Sequence, residues 1–168
     1  MGVLSFIFQD RKANGSNTKG KFILTLFRIA NGCSKRRWLF YPGMPYLIFY
    51  RFFVEWVLGI ELPWNLKAGP GLVLYHGQGL VINSAVIIGS NCVLRHCTTI
   101  GNAVDGGGCP VIEDGVNIGA NVIIVGAITV GRNSVIGAGT VITKSIPPGS
   151  VVVGNPAKII RTIPEIQQ

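Results

Sequence analysis

The chain has 168 residues, 48% hydrophobic and 13% charged, which fits one domain with a short appendage and excludes a disordered protein. Its 23 glycines follow no three-residue period, which excludes collagen. The formal net charge of +8 is concentrated at one end: residues 1–67 hold ten basic and three acidic side chains, and residues 68–168 hold five and four.

A basic N-terminal third attracts polyanions, either nucleic acid or an anionic membrane face. No recognised nucleic-acid motif accompanies the charge, so nucleic acid is not an expected partner. Cys33, Cys92, Cys97 and Cys109 form no C-x-x-C pair. Without a secretory signal in view, a reduced, cytosolic protein is expected. The apolar run from Tyr46 to Ile60 is too short to cross a bilayer and contains Arg51 and Glu55.

In chain order, Lys21–Ala30 reads as a short helix. The segment YPGMP, with Pro42 and Pro45, reads as a break. Pro45 suits the first turn of a second helix running to about Leu58, before Gly59. On that helix Arg51 and Glu55 are four apart and can pair. Two roles stay open for it: capping or extending a trimer, or touching a membrane surface through Arg36, Arg37, Trp38 and its aromatic face.

From about Gly69 the texture changes to short apolar pairs separated by Gly, Asn and Ala. Stepping by six from Ile82 meets Ile88, Leu94, Ile100, Gly106, Ile112, Ile118, Ile124, Val130, Ile136 and Ile142, so only Gly106 is not Val, Ile or Leu. The fourth residue after a slot is small or β-branched, as at Val86, Cys92, Thr98, Val116, Val122, Ile128, Ser134 and Thr140. A period of six fits neither a helix nor a hairpin meander. It fits a parallel β-helix of three flat faces, with both positions pointing inward on each face. The failing slot lies in GNAVDGGGCP, which predicts a loop near 102–110 thrown out of the coil. Upstream, Leu72 and Leu74 fit a different frame. The expected organisation is a helical, basic and aromatic region over 1–66, then a mainly-β domain over 67–168 ending in a C-terminal tail.

The repeat I-G-x-x-x-x and the ending VIGAGTVITKSIPPGSVVVGNPAKIIR resemble the bacterial hexapeptide-repeat acyltransferases over roughly residues 60–161. The resemblance implies a left-handed parallel β-helix, acetyl-CoA as donor substrate and a homotrimer; no metal is expected. Within that group the stretch GPGLVLYHGQGLVIN looks like the active-site segment of serine acetyltransferases, and His76 takes the place of their catalytic histidine. Glu61, fifteen residues earlier, takes the place of the carboxylate that orients it. Those enzymes carry a second histidine before a proline in the loop, where this chain has Cys109 before Pro110. Their long N-terminal helical domain is much reduced here. LRHCTTIGN and the cysteine before the proline are closer to the acetyltransferases of colanic-acid type. The implied acceptor is then a sugar hydroxyl of an exopolysaccharide or surface-polysaccharide precursor, free or lipid-linked. Serine O-acetylation and a non-catalytic scaffold are the alternatives.

The resemblance also assigns the donor. Gly119, Ala120, Gly137 and Ala138 are expected along the pantetheine arm, and Thr143, Lys144 and Lys158 near the adenosine phosphates. Chemically, the transfer needs a base for the hydroxyl proton and a group to orient that base. Histidine suits the first task because its ordinary titration range crosses neutral pH. His96, the one other histidine, is either a surface or substrate-contact residue on a coil face, on the acceptor side, or a second site residue reached across a trimer interface. Cys109 is read as an acceptor-side residue rather than a nucleophile. Cys92, His96, Cys97 and Cys109 match no familiar zinc spacing. A basic, aromatic N-terminal region could hold the protein peripherally on the inner membrane face, where lipid-linked sugars are made.

Overall fold

The computed structural model describes residues 2–35 and 37–163. Arg36, the side chain of Arg37 and residues 164–168, which end the expected tail, lie outside the described residues.

Helix α1 spans Val3–Ile7, α2 Thr18–Lys35 and α3 Arg37–Tyr50, and α3 runs on as a π-helical segment over Arg51–Val57. The expected break at YPGMP does not occur: Pro42 and Pro45 both lie inside α3. Proline removes helical hydrogen bonds at a cost of about 3 kcal/mol or more, so packing must hold the helix together here. Leu47 and Tyr50 are buried, and the Tyr46 hydroxyl donates to the Leu26 carbonyl of α2 at 3.0 Å. The helical stretch stops at Gly59, whose φ of 64° reverses the chain at little cost. The expected Arg51–Glu55 pair forms at 3.1 Å.

The rest of the chain winds into a three-faced parallel β-helix. The first face stacks β1 (Ile60–Glu61), β4 (Leu80–Ile82), β7 (Thr99–Gly101), β10 (Ile123–Val125) and β13 (Val141–Ile142). The second stacks β2 (Lys67–Ala68), β5 (Ile87–Ile88), β8 (Val111–Ile112) and β11 (Thr129–Val130). The third stacks β3 (Val73–Tyr75), β6 (Val93–Arg95), β9 (Asn117–Ile118), β12 (Val135–Ile136) and β14 (Ser150–Val153), and β15 (Lys158–Thr162) returns antiparallel on β14. All ten apolar slots from Ile82 to Ile142 are at most 2% exposed, so the hexapeptide period is the core itself.

Two departures from an 18-residue coil shape the molecule. Ile123 pairs with Val141, a step of 18, and with Thr99, a step of 24. The six extra residues fall between Gly101 and Val111, so the expected loop leaves the edge between the first and second faces. Higher up, Tyr75 pairs with Arg95, a step of 20, whereas Val81 pairs with Thr99, a step of 18. The turn Tyr75–Val81 is therefore two residues longer than the turn stacked beneath it. This explains the frame shift at Leu72 and Leu74, both of which are buried all the same.

The N-terminal helices close the open end of the first coil with side chains. Buried Arg28 donates to Asp10 at 2.7 and 3.1 Å and to the Ala68 and Gly69 carbonyls at 2.9 and 2.6 Å. The Leu72 amide donates to Asp10 at 3.0 Å, and the Leu72 carbonyl accepts from Asn14 at 2.8 Å. Asn17 reaches the Leu74 carbonyl at 2.8 Å, Asn31 the Trp64 and Leu66 carbonyls, and Tyr50 the Leu62 carbonyl at 2.7 Å. Backbone groups of the first coil, which has no coil above it, thus find partners in helical side chains. None of these residues stood out in the sequence, because a side chain bonding to backbone leaves no periodic signal.

Candidate active site

The enlarged turn after β3 carries His76. Its φ is 68°, in the left-handed region that non-glycine residues seldom enter. Gly77 and Gly79 follow at 83° and 67°. The Gly77 amide donates to the Tyr75 carbonyl at 2.9 Å and the Leu80 amide to Gly77 at 3.0 Å. These tight local bonds hold the two extra residues in a compact bulge, with the His76 side chain exposed. A side chain held in an uncommon backbone region at a surface bulge is a frequent mark of function.

His96 lies one coil below, immediately after β6, and its ring meets that of His76 edge to face with centroids 5.5 Å apart. The structure therefore brings together both histidines of the chain. His96 Nδ1 is buried with no protein partner. Beside the pair, Arg95 stands over the Tyr75 ring at 5.5 Å and donates to Asn117 Oδ1 at 2.7 Å and the Ile118 carbonyl at 2.8 Å. Sequence reasoning passed over Tyr75 and Arg95. Their signal was parity, since both flank an inward leucine on the outward side of a strand.

The edge between the third and first faces continues below His96. The Asn121 amide donates to the His96 carbonyl at 3.2 Å and the Gly139 amide to the Ala120 carbonyl at 2.9 Å. His96, Ala120 and Ala138 thus stand in one column, with Gly119 and Gly137 beside them. A Cβ added to Gly119 would sit 2.6 Å from the Ala138 amide nitrogen, so glycine there is required by coil-to-coil approach. Four of the expected donor residues accordingly share an edge with the histidines. Lys158 is close to that column: it pairs with Val153 in the β14–β15 ladder, and Val153 packs over Gly137. Thr143 and Lys144 do not share it. They follow β13 and are exposed at the edge between the first and second faces.

Cys109 also belongs to that other edge. It is half-buried at the end of the loop, in which Asn102 accepts from Asn83 at 3.0 Å and donates to the Val104 carbonyl at 2.6 Å. The strand β7 separates the loop from the histidine edge within one chain. Glu61 lies on the outer surface of β1, in register with Val81, and among the described residues no hydrogen bond joins it to His76. It lines a cleft of about 370 Å³ with Arg51, Glu55, Trp64, Asn65 and Ser84, floored by Pro63 and Ile82.

Two of the thiols differ in character. Cys92 is fully buried in the core, and burial pushes its pKa up from 9.0 to about 11. Cys97, next to His96, is exposed and sits at a left-handed corner with φ 55°.

Comparison with known proteins agrees with this architecture. Residues 109–144 match the family described as bacterial transferase hexapeptide (six repeats). The chain is 35% identical over 162 residues to an Escherichia coli K12 protein that carries the name colanic acid biosynthesis acetyltransferase WcaB, covering 91% of this chain and 98% of that one. It is 32% identical over 143 residues to a serine acetyltransferase of Helicobacter pylori, covering 84% and 81%. The structure is similar to Vibrio cholerae serine acetyltransferase, with a TM-score of 0.80 and 25% identity over 97% of this chain and 67% of that one. It is also similar to the Brucella abortus serine acetyltransferase solved in complex with coenzyme A, with a TM-score of 0.79 and 28% identity over 95% and 68%. With a prism built on hexapeptide slots, two histidines together on one edge and a 35% identical relative covered over 98% of its length, the chain belongs to the hexapeptide-repeat acetyltransferases.

Proposed function

We propose that the protein transfers the acetyl group of acetyl-CoA to a hydroxyl of a saccharide used in exopolysaccharide or surface-polysaccharide assembly, working as a homotrimer, with peripheral contact to the inner membrane face. The observation that carries the acceptor class is the cleft beside β1. Among the described residues, the Glu61 carboxylate, the Asn65 amide and the Ser84 hydroxyl have no hydrogen-bond partner, and they surround the half-buried Trp64. Open donors and acceptors around an aromatic surface suit a sugar, which presents hydroxyls at its rim and C–H groups on its face.

In this reading an imidazole nitrogen of His76 takes the proton from the acceptor hydroxyl as the oxygen attacks the thioester carbonyl. The carbon–sulfur bond then breaks, and the imidazolium returns the proton to the leaving thiolate, giving coenzyme A and the acetyl ester. His96, edge-on to His76, holds its ring in place. Pantetheine follows the small-residue column through Gly119, Ala120, Gly137 and Ala138, with Lys158 toward the phosphates as a point charge. Thr143, Lys144, Cys109 and the loop join the site from a neighbouring subunit, whose edge between first and second faces meets the histidine edge. Glu61 orients the acceptor from the cleft, whose Trp64, Asn65 and Ser84 lie on the edge between the first and second faces, so that the cleft meets the histidines of the neighbouring subunit together with Cys109 and the loop.

The test is coenzyme A release from acetyl-CoA with purified protein, comparing hexose-containing oligosaccharides with free L-serine. Acetylation of a saccharide at a rate well above the serine background supports the proposal. Efficient turnover of L-serine with inert saccharides makes the protein a serine acetyltransferase instead.

A further inference from the structure

The face of α3 turned away from the core is apolar from end to end. Trp38, Tyr41, Pro45, Ile48, Phe49, Phe52 and Trp56 recur at spacings of three and four residues and are all exposed, Trp38 by 71% and Trp56 by 79%. A surface helix ordinarily carries charge on that side. Arg51 and Glu55 are the only charged residues between Trp38 and Trp56, and they are engaged with each other. Behind the stripe, Leu47, Tyr50 and Val54 fill the core, so the helix cannot turn to hide it. Phe49 stacks on Phe53 with centroids 5.6 Å apart, and Phe22 meets Phe53 edge-on at 6.4 Å, which fixes the stripe as a rigid surface. Its α-helical part, from Trp38 to Phe49, is about 17 Å long, and Phe52 and Trp56 continue it on the π-helical segment.

The charge that precedes this stripe in the sequence indicates what covers it. Lys35, Arg36 and Arg37 directly precede Trp38 in the chain, and Arg11, Lys12, Lys19 and Lys21 lie on the segment before them. Of the three acids in residues 1–67, Asp10 and Glu55 are paired with Arg28 and Arg51, so the surplus is positive. Tryptophan and tyrosine favour the headgroup region of a bilayer, and a surplus of cations adds attraction to anionic lipid. No helix among the described residues is long and apolar enough to cross a membrane.

We infer that the exposed stripe of α3 is an interfacial membrane-binding element, lying flat in the headgroup layer of an anionic bilayer. This names the element behind the membrane contact proposed above and does not depend on the acceptor. The experiment is co-sedimentation of the full-length protein with vesicles of pure phosphatidylcholine and of phosphatidylcholine mixed with phosphatidylglycerol, together with the double variant Ile48→Glu/Phe52→Glu. Partition onto the anionic vesicles should exceed that onto neutral ones by at least ~10-fold, fall with added salt, and drop by at least ~10-fold in the variant. The variant should keep the native oligomer size in gel filtration and its transfer to soluble acceptors. Binding to anionic vesicles that survives the double variant would overturn the role of the stripe while keeping membrane contact. Absence of vesicle binding by the unmodified protein would overturn both. Loss of the oligomer in the variant would show that a second copy of the chain covers this face, and would also overturn the inference.

Discussion

The imidazole rings of His76 and His96 meet edge to face at 5.5 Å although twenty residues separate them. The coil step places one above the other, and the two-residue bulge pushes His76 outward. Replacing His76 tests its role, but the variant has to tolerate φ of 68°. Asparagine enters that region readily, so His76→Asn should keep the fold and oligomer while kcat falls by at least ~100-fold. Near-normal turnover in the coenzyme A release assay would remove His76 from the reaction.

Glu61 and His76 form no hydrogen bond, which makes a distinct prediction. Glu61→Gln should raise KM for the acceptor more than it lowers kcat. Its effect in kcat/KM should add to that of His76→Asn in free energy to within about 0.5 kcal/mol, as for independent sites. Strong non-additivity in the double-mutant cycle would instead mean that the carboxylate works through the imidazole.

The loop carries one extra hexapeptide, since the coil step is 24 across it and 18 below it. Deleting Ala103–Gly108 restores an 18-residue coil in phase. The deletion should leave the melting temperature within a few degrees of the parent, about the effect of 1 kcal/mol in a domain of this size. If the loop and Cys109 complete the site of a neighbouring subunit, as proposed, acetyl transfer should be lost. Retained transfer would assign the loop another purpose.

Arg28 carries both an ion pair and the capping of the first coil. Arg28→Met leaves buried Asp10 without its cation and removes the donors from the Ala68 and Gly69 carbonyls, which should destabilise by about 3–5 kcal/mol. An Asp10→Leu/Arg28→Met pair should not recover this loss, because the Leu72 amide then loses its acceptor too. Full recovery in a denaturant titration would show that the backbone bonds contribute nothing.

Burial also gives a pH dependence. Cys92 is raised from 9.0 to about 11 and Tyr46 from 10.0 to about 12, in both cases chiefly by desolvation. Both groups are held neutral in the folded state. The stability they contribute is complete below pH 9 and is lost as pH rises through 11 and 12. Thermal melts should therefore show a steep alkaline decline, shallower in Cys92→Val. Thiol labelling at neutral pH should modify Cys97 and spare Cys92.

Much of this was legible in the sequence because the β-helix repeats one physical requirement every six residues: an inward apolar side chain on each face. The loop was legible as the one slot, Gly106, where the requirement lapses. The frame shift before Ile82 was visible, but its cause was not, since Tyr75–Val81 gains two residues without losing an inward leucine. The helix through Pro42 and Pro45 is not legible locally, because propensity argues against it and tertiary contacts sustain it, the Tyr46 bond to α2 and the buried Leu47 and Tyr50 among them. His76 and the column from Ala120 to Ala138 could be reached through the repeat and its resemblance. The relation of Glu61 to Trp64, Asn65 and Ser84 depends on register between β1 and β4, which a linear sequence does not state.

The closure of the first coil has a consequence for how copies can meet. A stack of strands with a bare terminal rung is a template for endless addition, one molecule on the next. Here Asp10, Asn14, Asn17, Arg28 and Asn31 occupy that rung, and at the other end β15 folds back over β14. Growth along the prism axis is thereby shut off at its first rung and on its third face, which leaves the flanks of the prism as the open route for association.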